Sequence, residues 1–317
     1  MDLSIVIPVF NEEENVEPLI SEIEAALNSL SRRYEIVVVD DGSGDNTFGV
    51  LAEIYRADPH LRVVKLKRNF GQTAALAAGL AHATGEVVVM LDGDGQNDPA
   101  DIPALLKELE QGNDIVCGWR HRRHDPFLSR RLPSMIANSV ISWTTQVKLH
   151  DYGCTLKAMR KEIAKNLKLY GEMHRFIPAI AYERGARIAE LKVNHRPRLR
   201  GKSKYGITRT VRVVLDLITV KFLMSYSTRP SHIFGIIGIG SAILGFILGI
   251  YLTVQKLMYN ISIGTRPLLL LSVMLIFVGF QFVTMGLLGE MLSRTYHESQ
   301  DKAVFVVGEI LGERSCV

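Results

Sequence analysis

The chain has 317 residues, 47% hydrophobic and 22% charged, with a net charge of +4. That average describes a globular protein with room for one large domain plus additions. The three cysteines, Cys117, Cys154 and Cys316, form no C-x-x-C pair, which excludes a zinc-site or disulfide-framework reading and suits a reduced cytosolic setting.

In chain order, residues 3–10 (LSIVIPVF) predict a buried strand. Asn11 follows, with Glu14 three residues on, an arrangement that predicts an N-capped helix to about residue 30. Residues 34–39 (YEIVVV) predict a second strand ending at Asp40-Asp41-Gly42-Ser43, and 47–56 a helix. Residues 61–66 predict a strand, 72–83 an Ala-rich helix, and 86–91 (EVVVML) a strand ending at Asp92-Gly93-Asp94. A helix over 99–111 and a strand over 114–118 complete this stretch. Strands alternating with helices imply crossover connections and a mainly parallel α/β sheet. In such sheets ligands bind beyond the carboxyl ends of the strands. Asn11-Glu12, Asp40-Asp41 and Asp92-Gly93-Asp94 all fall at such ends.

Residues 120–206 are less regular and rich in Arg, His and Gly. Residues 208–225 carry apolar positions at helical spacing beside a basic face, as in an interfacial helix. Two apolar runs follow, about 233–257 and 268–292, each long enough to span a bilayer. Arg196, Arg198, Arg200, Lys202, Lys204, Arg209, Arg212, Lys221 and Arg229 precede the first run, whereas the connection between runs has only Arg266 and, at its edge, Lys256. Lys and Arg favour the cytoplasmic side, so both termini are expected there. Anionic headgroups account for the basic stretch better than nucleic acid does. No signal-peptide pattern is visible, and insertion is expected to depend on the C-terminal runs. Gly235, Gly238, Gly240, Gly245 and Gly249 in the first run favour close helix packing and a homo-oligomer. Residues 303–307 form a short strand-like stretch.

Asp92 and Asp94, at i and i+2 after an apolar strand, suit one hard divalent cation with phosphate oxygens completing its shell. Asp40-Asp41 and the Pro8–Glu12 stretch read either as turn and helix-start chemistry or as nucleotide contacts. The segments IVIPVFNEEEN, VVVDDGSGDNT, LKRNFGQTAALAAGL and VVVMLDGDGQNDP, in that order, resemble glycosyltransferase family 2 of the GT-A fold. GWR at 118–120, DYGCTLKAMR at 151–160, RLRGKSKY at 198–205 and the two apolar runs extend the resemblance to the polyprenyl-phosphate glycosyltransferases.

The resemblance implies a GT-A domain over 1–207, a juxtamembrane amphipathic helix over 208–229, two transmembrane helices over 230–292 and a cytoplasmic tail over 293–317. It implies nucleotide contacts from Pro8, Val9, Asn11, Glu12, Asp40, Asp41, Asp92 and Gly93, and Mg²⁺ or Mn²⁺ at Asp92, Asp94 and Gln96. An acceptor-phosphate set of Arg120, Arg131, Ser134, Arg198, Ser203 and Lys204 follows, with Asp94, Asp151, Arg120, Arg198 and Lys204 serving catalysis. There is neither a Q-x-x-R-W motif nor a Glu-Asp dipeptide. A phosphate acceptor, largely ionised at neutral pH, needs no strong base. The expectation is an inverting transferase at the bacterial inner membrane that moves glucose from UDP-glucose to a polyprenyl phosphate. GDP-mannose and UDP-aminoarabinose are alternative donors. A non-catalytic membrane adaptor and a flippase or channel are readings of other classes.

Overall fold

The computed structural model describes residues 1–28, 30, 32–121, 142, 147–167, 169, 173–197, 230–259, 262–264, 266–299 and 305–312. The chain divides into two compact units, residues 1–217 with 303–317, and residues 218–302.

The first unit is built on an eight-stranded sheet: β1 (Leu3–Val9), β2 (Tyr34–Asp40), β3 (Leu61–Leu66), β4 (Val87–Met90), β5 (Ile115–Arg120), β6 (Lys157–Arg160), β7 (Ile188–Val193) and β8 (Val307–Leu311). Their spatial order is β7-β5-β6-β4-β1-β2-β3-β8. The segment β4-β1-β2-β3 is parallel, whereas β6 runs antiparallel to both β4 and β5, and β8 antiparallel to β3. The central strands are apolar on both faces because both are covered: Ile5, Val6, Ile36, Val37, Val63 and Val89 are fully buried.

The flanking helices are α1 (Val16–Leu27), α2 (Thr47–Ala57), α3 (Gln72–His82), α4 (Ile102–Glu110), α5 (Lys161–Asn166) and α6 (Ile177–Glu183). In α1 the buried residues Val16, Leu19, Ile20, Ile23 and Leu27 form one stripe at helical spacing. The Ala-rich α3 is buried on more than one side and lies so close to the sheet that a Cβ on Gly79 would come within 2.3 Å of a Val6 methyl.

Three expectations are revised. Asn11 does not cap a helix: it sits at φ +54, its Oδ1 accepts from the Gly44 N–H, and α1 begins only at Val16. The expected 99–111 helix opens with a 3₁₀ turn, Pro99–Asp101, before α4. The tail strand lies at 307–311 rather than 303–307 and is the edge strand of this sheet. The expected helix over 208–225 lies outside the described residues.

The second unit contains α7 (Pro230–Tyr259) and α8 (Pro267–Ser299). Phe234–Tyr259 and Pro267–Gly289 are long and apolar enough to cross a membrane, with mean hydropathies of 2.2 and 2.4. They pack through small residues. A Cβ on Gly238 would stand 2.5 Å from the Gly279 carbonyl oxygen, and the hydroxyls of Ser272 and Ser241 donate to the carbonyls of Gly245 (2.8 Å) and Leu275 (2.9 Å). Gly235 and Gly240 face open space.

Candidate active site

The ends of β4, β1 and β2 are neighbours, with Val9 beside Asp40 and Val6 beside Met90. The loops carrying Asn11-Glu12, Asp40-Asp41 and Asp92-Gly93-Asp94 therefore emerge side by side, as the strand pattern implies. Gly93 lies tight against the end of β1: a Cβ there would be 2.6 Å from a Val9 methyl and 3.0 Å from the Pro8 carbonyl oxygen. Pro8, Val9 and Gly93 thus seat the acidic loop.

Asp92 receives the Gln72 side-chain amide at 2.8 Å. Burial, and then the charge of Asp94, push its carboxyl up to about 6, against stabilisation by Thr155, Arg120 and Lys157. A carboxylate pair whose negative charges penalise each other is chemically suited to a divalent cation. Asp94 Oδ1 accepts from the Gln96 N–H across the positive-φ residue Gly95. Among the described residues no cluster of three or more His, Cys, Asp or Glu ligands forms, so phosphate oxygens would have to complete a shell there.

Asp40 and Asp41 differ. Both oxygens of Asp41 accept backbone N–H groups, from Phe70 at 2.7 Å and Gly71 at 2.9 Å, so Asp41 anchors the β3–α3 loop. Asp40 is fully buried; its Oδ1 accepts from the Ser43 N–H, and among the described residues its Oδ2 has no hydrogen-bond partner. Glu12 Oε2 accepts from the Asn15 amide, and its backbone N–H donates to the Thr47 hydroxyl.

Arg120 and Asp151 form a two-pronged ion pair, Nε to Oδ2 at 2.7 Å and Nη2 to Oδ1 at 3.0 Å. Burial opposes the guanidinium charge, but Asp151 more than offsets it, so Arg120 is held more firmly protonated than usual. Asp151 is buried and its Oδ1 also accepts from the Gly153 N–H, so it orients Arg120. Arg131, Ser134, Arg198, Ser203 and Lys204 lie outside the described residues.

Sequence reasoning passed over five residues. Gln72 is the first residue of α3, at the sheet edge where ligands bind. Thr155 and Lys157 lie in DYGCTLKAMR; Lys157 is buried and donates to the Cys154 carbonyl. Thr73 Oγ1 meets His174 Nδ1 at 2.7 Å, tying the 3₁₀ turn Met173–Phe176 to α3.

The profile of glycosyl transferase family 2 matches residues 4–168. The chain belongs to glycosyltransferase family 2. It is 46% identical over 320 residues to the dodecaprenyl-phosphate galacturonate synthase of Rhizobium johnstonii, covering 99% of this chain and 94% of the relative. It is 38% identical to the undecaprenyl-phosphate 4-deoxy-4-formamido-L-arabinose transferase of Shewanella sediminis, covering 98% and 92%. Among solved structures, glucosyl-3-phosphoglycerate synthase of Mycobacterium tuberculosis, in complex with Mn²⁺, UDP and its glucosylated product, superposes with TM-score 0.55 at 20% identity over 69% of this chain and 79% of that one. Mannosyl-3-phosphoglycerate synthase of Rubrobacter xylanophilus gives 0.58 at 17% identity over 71% and 75%. These likenesses make the fold GT-A.

Proposed function

We propose that this glycosyltransferase transfers a nucleotide-activated sugar to a polyprenyl phosphate at the membrane surface. The observation that carries the reading is the convergence of three acidic strand ends on adjacent parallel strands, one with a buried, unmatched oxygen. An N–H or hydroxyl of a bound nucleoside would satisfy Asp40 Oδ2. Asp94, with Asp92 and Gln96 beside it, would hold Mg²⁺ or Mn²⁺, whose charge would neutralise the departing diphosphate. A phosphate oxygen of the lipid attacks the anomeric carbon, the bond to the nucleoside diphosphate breaks, and the configuration inverts to a β-linked product. Arg120, oriented by Asp151, offsets repulsion between two anionic substrates, together with Arg131, Arg198 and Lys204. Catalysis is positioning and electrostatics, with no covalent enzyme intermediate.

The two long apolar helices supply the bilayer anchor. Residues before 218 and after 302 belong to one unit, which supports a hairpin with both ends on the same, cytoplasmic, side of the inner membrane. Oligomerisation through the spans is part of the proposal, with Gly235 and Gly240 as unused small positions.

UDP-glucose is the donor expected from the sequence, but the alignments to the galacturonate and formamido-arabinose relatives run through nearly the whole chain, both apolar runs included. Two spans therefore do not select glucose, and the 46% relative supports galacturonate as the sugar. The test is incubation of the purified full-length protein with polyprenyl phosphate and labelled UDP-galacturonate, UDP-glucose, UDP-formamido-arabinose or GDP-mannose, with and without EDTA. Organic-phase product from UDP-galacturonate, abolished by EDTA, is expected. No lipid product from any donor would defeat the reading.

A further inference from the structure

Arg120 ends β5 and stands close enough to Asp92 for its charge to favour the ionised carboxyl. Its guanidinium takes its direction from Asp151. Asp151 lies on a loop, outside any strand or helix. A loop side chain orients a partner only as firmly as its own backbone is held.

The hold on that loop comes from β7. Glu190 is paired with the buried Cys117 of β5 in the parallel register, and its side chain is 11% exposed. Its Oε1 accepts the backbone N–H of His150 at 2.9 Å and that of Asp151 at 3.0 Å. Its Oε2 meets the same His150 N–H at 3.1 Å and His150 Nδ1 at 2.7 Å. One carboxylate therefore gathers two consecutive backbone donors and a ring nitrogen. Trp119 of β5 stacks on the His150 ring with centroids 4.1 Å apart, so the turn is pinned from β5 and β7 together. The links run without a gap: Glu190 to the Asp151 N–H, the Asp151 carboxylate to Arg120.

We infer that Glu190 is a positioning residue for sugar transfer: by holding the backbone of His150 and Asp151 it fixes Asp151, and through Asp151 the direction of the Arg120 guanidinium. The inference rests on the function proposed above, in which Arg120 offsets repulsion between two anionic substrates. Glu190 acts only through Asp151. Its importance follows from the precision the reaction demands, since a misplacement of about 1 Å costs about 100-fold in rate.

The test uses full-length protein in detergent, with both substrates varied, for wild type, Glu190→Ala, Glu190→Gln, Glu190→Asp, Arg120→Lys and the double variant R120K/E190A, each with its Tm. Glu190→Ala should lower kcat by about 10- to 100-fold and raise the KM for polyprenyl phosphate. Glu190→Gln keeps an oxygen for the two N–H groups and should recover most of the rate, to within about 3-fold of wild type. Glu190→Asp keeps the charge but withdraws it by one C–C bond, about 1.5 Å, and should stay close to Ala. Lysine at 120 cannot form the two-pronged pair, so the double variant should be no more than about 2-fold slower than Arg120→Lys. UDP affinity measured without acceptor should stay within about 3-fold, because the held turn serves Arg120 rather than the strand ends of β1 and β2. Wild-type rates in Glu190→Ala, whatever its Tm, would overturn the positioning role. So would a Gln variant as slow as Ala, fully multiplied losses in the double variant, or a loss of UDP affinity equal to the loss of rate. A wild-type protein inactive with every donor would instead defeat the proposed function, which keeps the two failures distinct.

Discussion

The Gln72 side-chain amide donates to Asp92 across 2.8 Å, joining the first turn of α3 to the acidic loop after β4. A donor aimed at a carboxylate favours its ionised form. Replacing Gln72 with Ala should lower kcat/KM by about 10-fold and move the acid limb of its pH profile to higher pH. A profile that keeps its midpoint would separate Gln72 from the charge state of Asp92.

Asp92 itself titrates near 6, raised by burial and by Asp94. Activity that depends on the ionised pair should therefore decline as pH falls through about 6. The stability effect has the opposite sense. A carboxyl with a raised folded-state pKa favours folding while protonated, and that contribution is lost as pH rises from 3.8 through 6. Asp92→Asn should raise the Tm of the metal-free protein at pH 7.5, and the gain should shrink between pH 6 and 4. Scanning calorimetry across that range checks it.

Asp94 and Asp40 should separate by the step they affect. Asp94→Asn should reduce transfer by about 100-fold or more with the far-UV spectrum unchanged, because cation-assisted stabilisation of the leaving group is lost. Asp40→Asn should chiefly weaken nucleotide binding, because an amide can turn a donor toward the ligand where Oδ2 had offered an acceptor. Calorimetric titration with UDP distinguishes the two, and undiminished transfer by the Asp94 variant would remove Asp94 from the cation site.

At the opposite end of the strands, Glu35 is buried at the start of β2. Its Oε1 accepts from Ser4, from the Thr84 N–H and from the Thr84 hydroxyl, with Arg62 at 3.7 Å from Oε2. Burial alone would raise its pKa, but these hydrogen bonds and the guanidinium hold it below the ordinary value of 4.5. The stability it contributes is present above that value and is lost as pH falls through the lowered folded-state pKa. Glu35→Ala should cost about 2 to 3 kcal/mol at pH 7.5, because three donors and Arg62 lose their partner. The gap from wild type in urea melts should narrow as pH is lowered below 4.5. A gap independent of pH would show that packing, not charge, sets the cost.

What the sequence determined by itself was local or repeated. Largely apolar runs placed β1 to β5 to within a residue or two, because a strand covered on both faces is mostly apolar. The long apolar stretches identified α7 and α8, since their length and lack of charge exceed what a buried core helix needs. Acidic residues at strand ends pointed to the binding edge because parallel strands put those ends together. Tertiary structure decided which charge meets which. Asn11 caps Gly44 instead of a helix, Asp41 anchors a loop while Asp40 keeps an unmatched oxygen, and Asp151 orients Arg120. Arg196 serves Asp98, and β8 joins β3 from the far end of the chain. Such pairings span tens to hundreds of residues, so no local periodicity encodes them. They follow from where the sheet order brings polar groups out of water and sets one chain segment beside another.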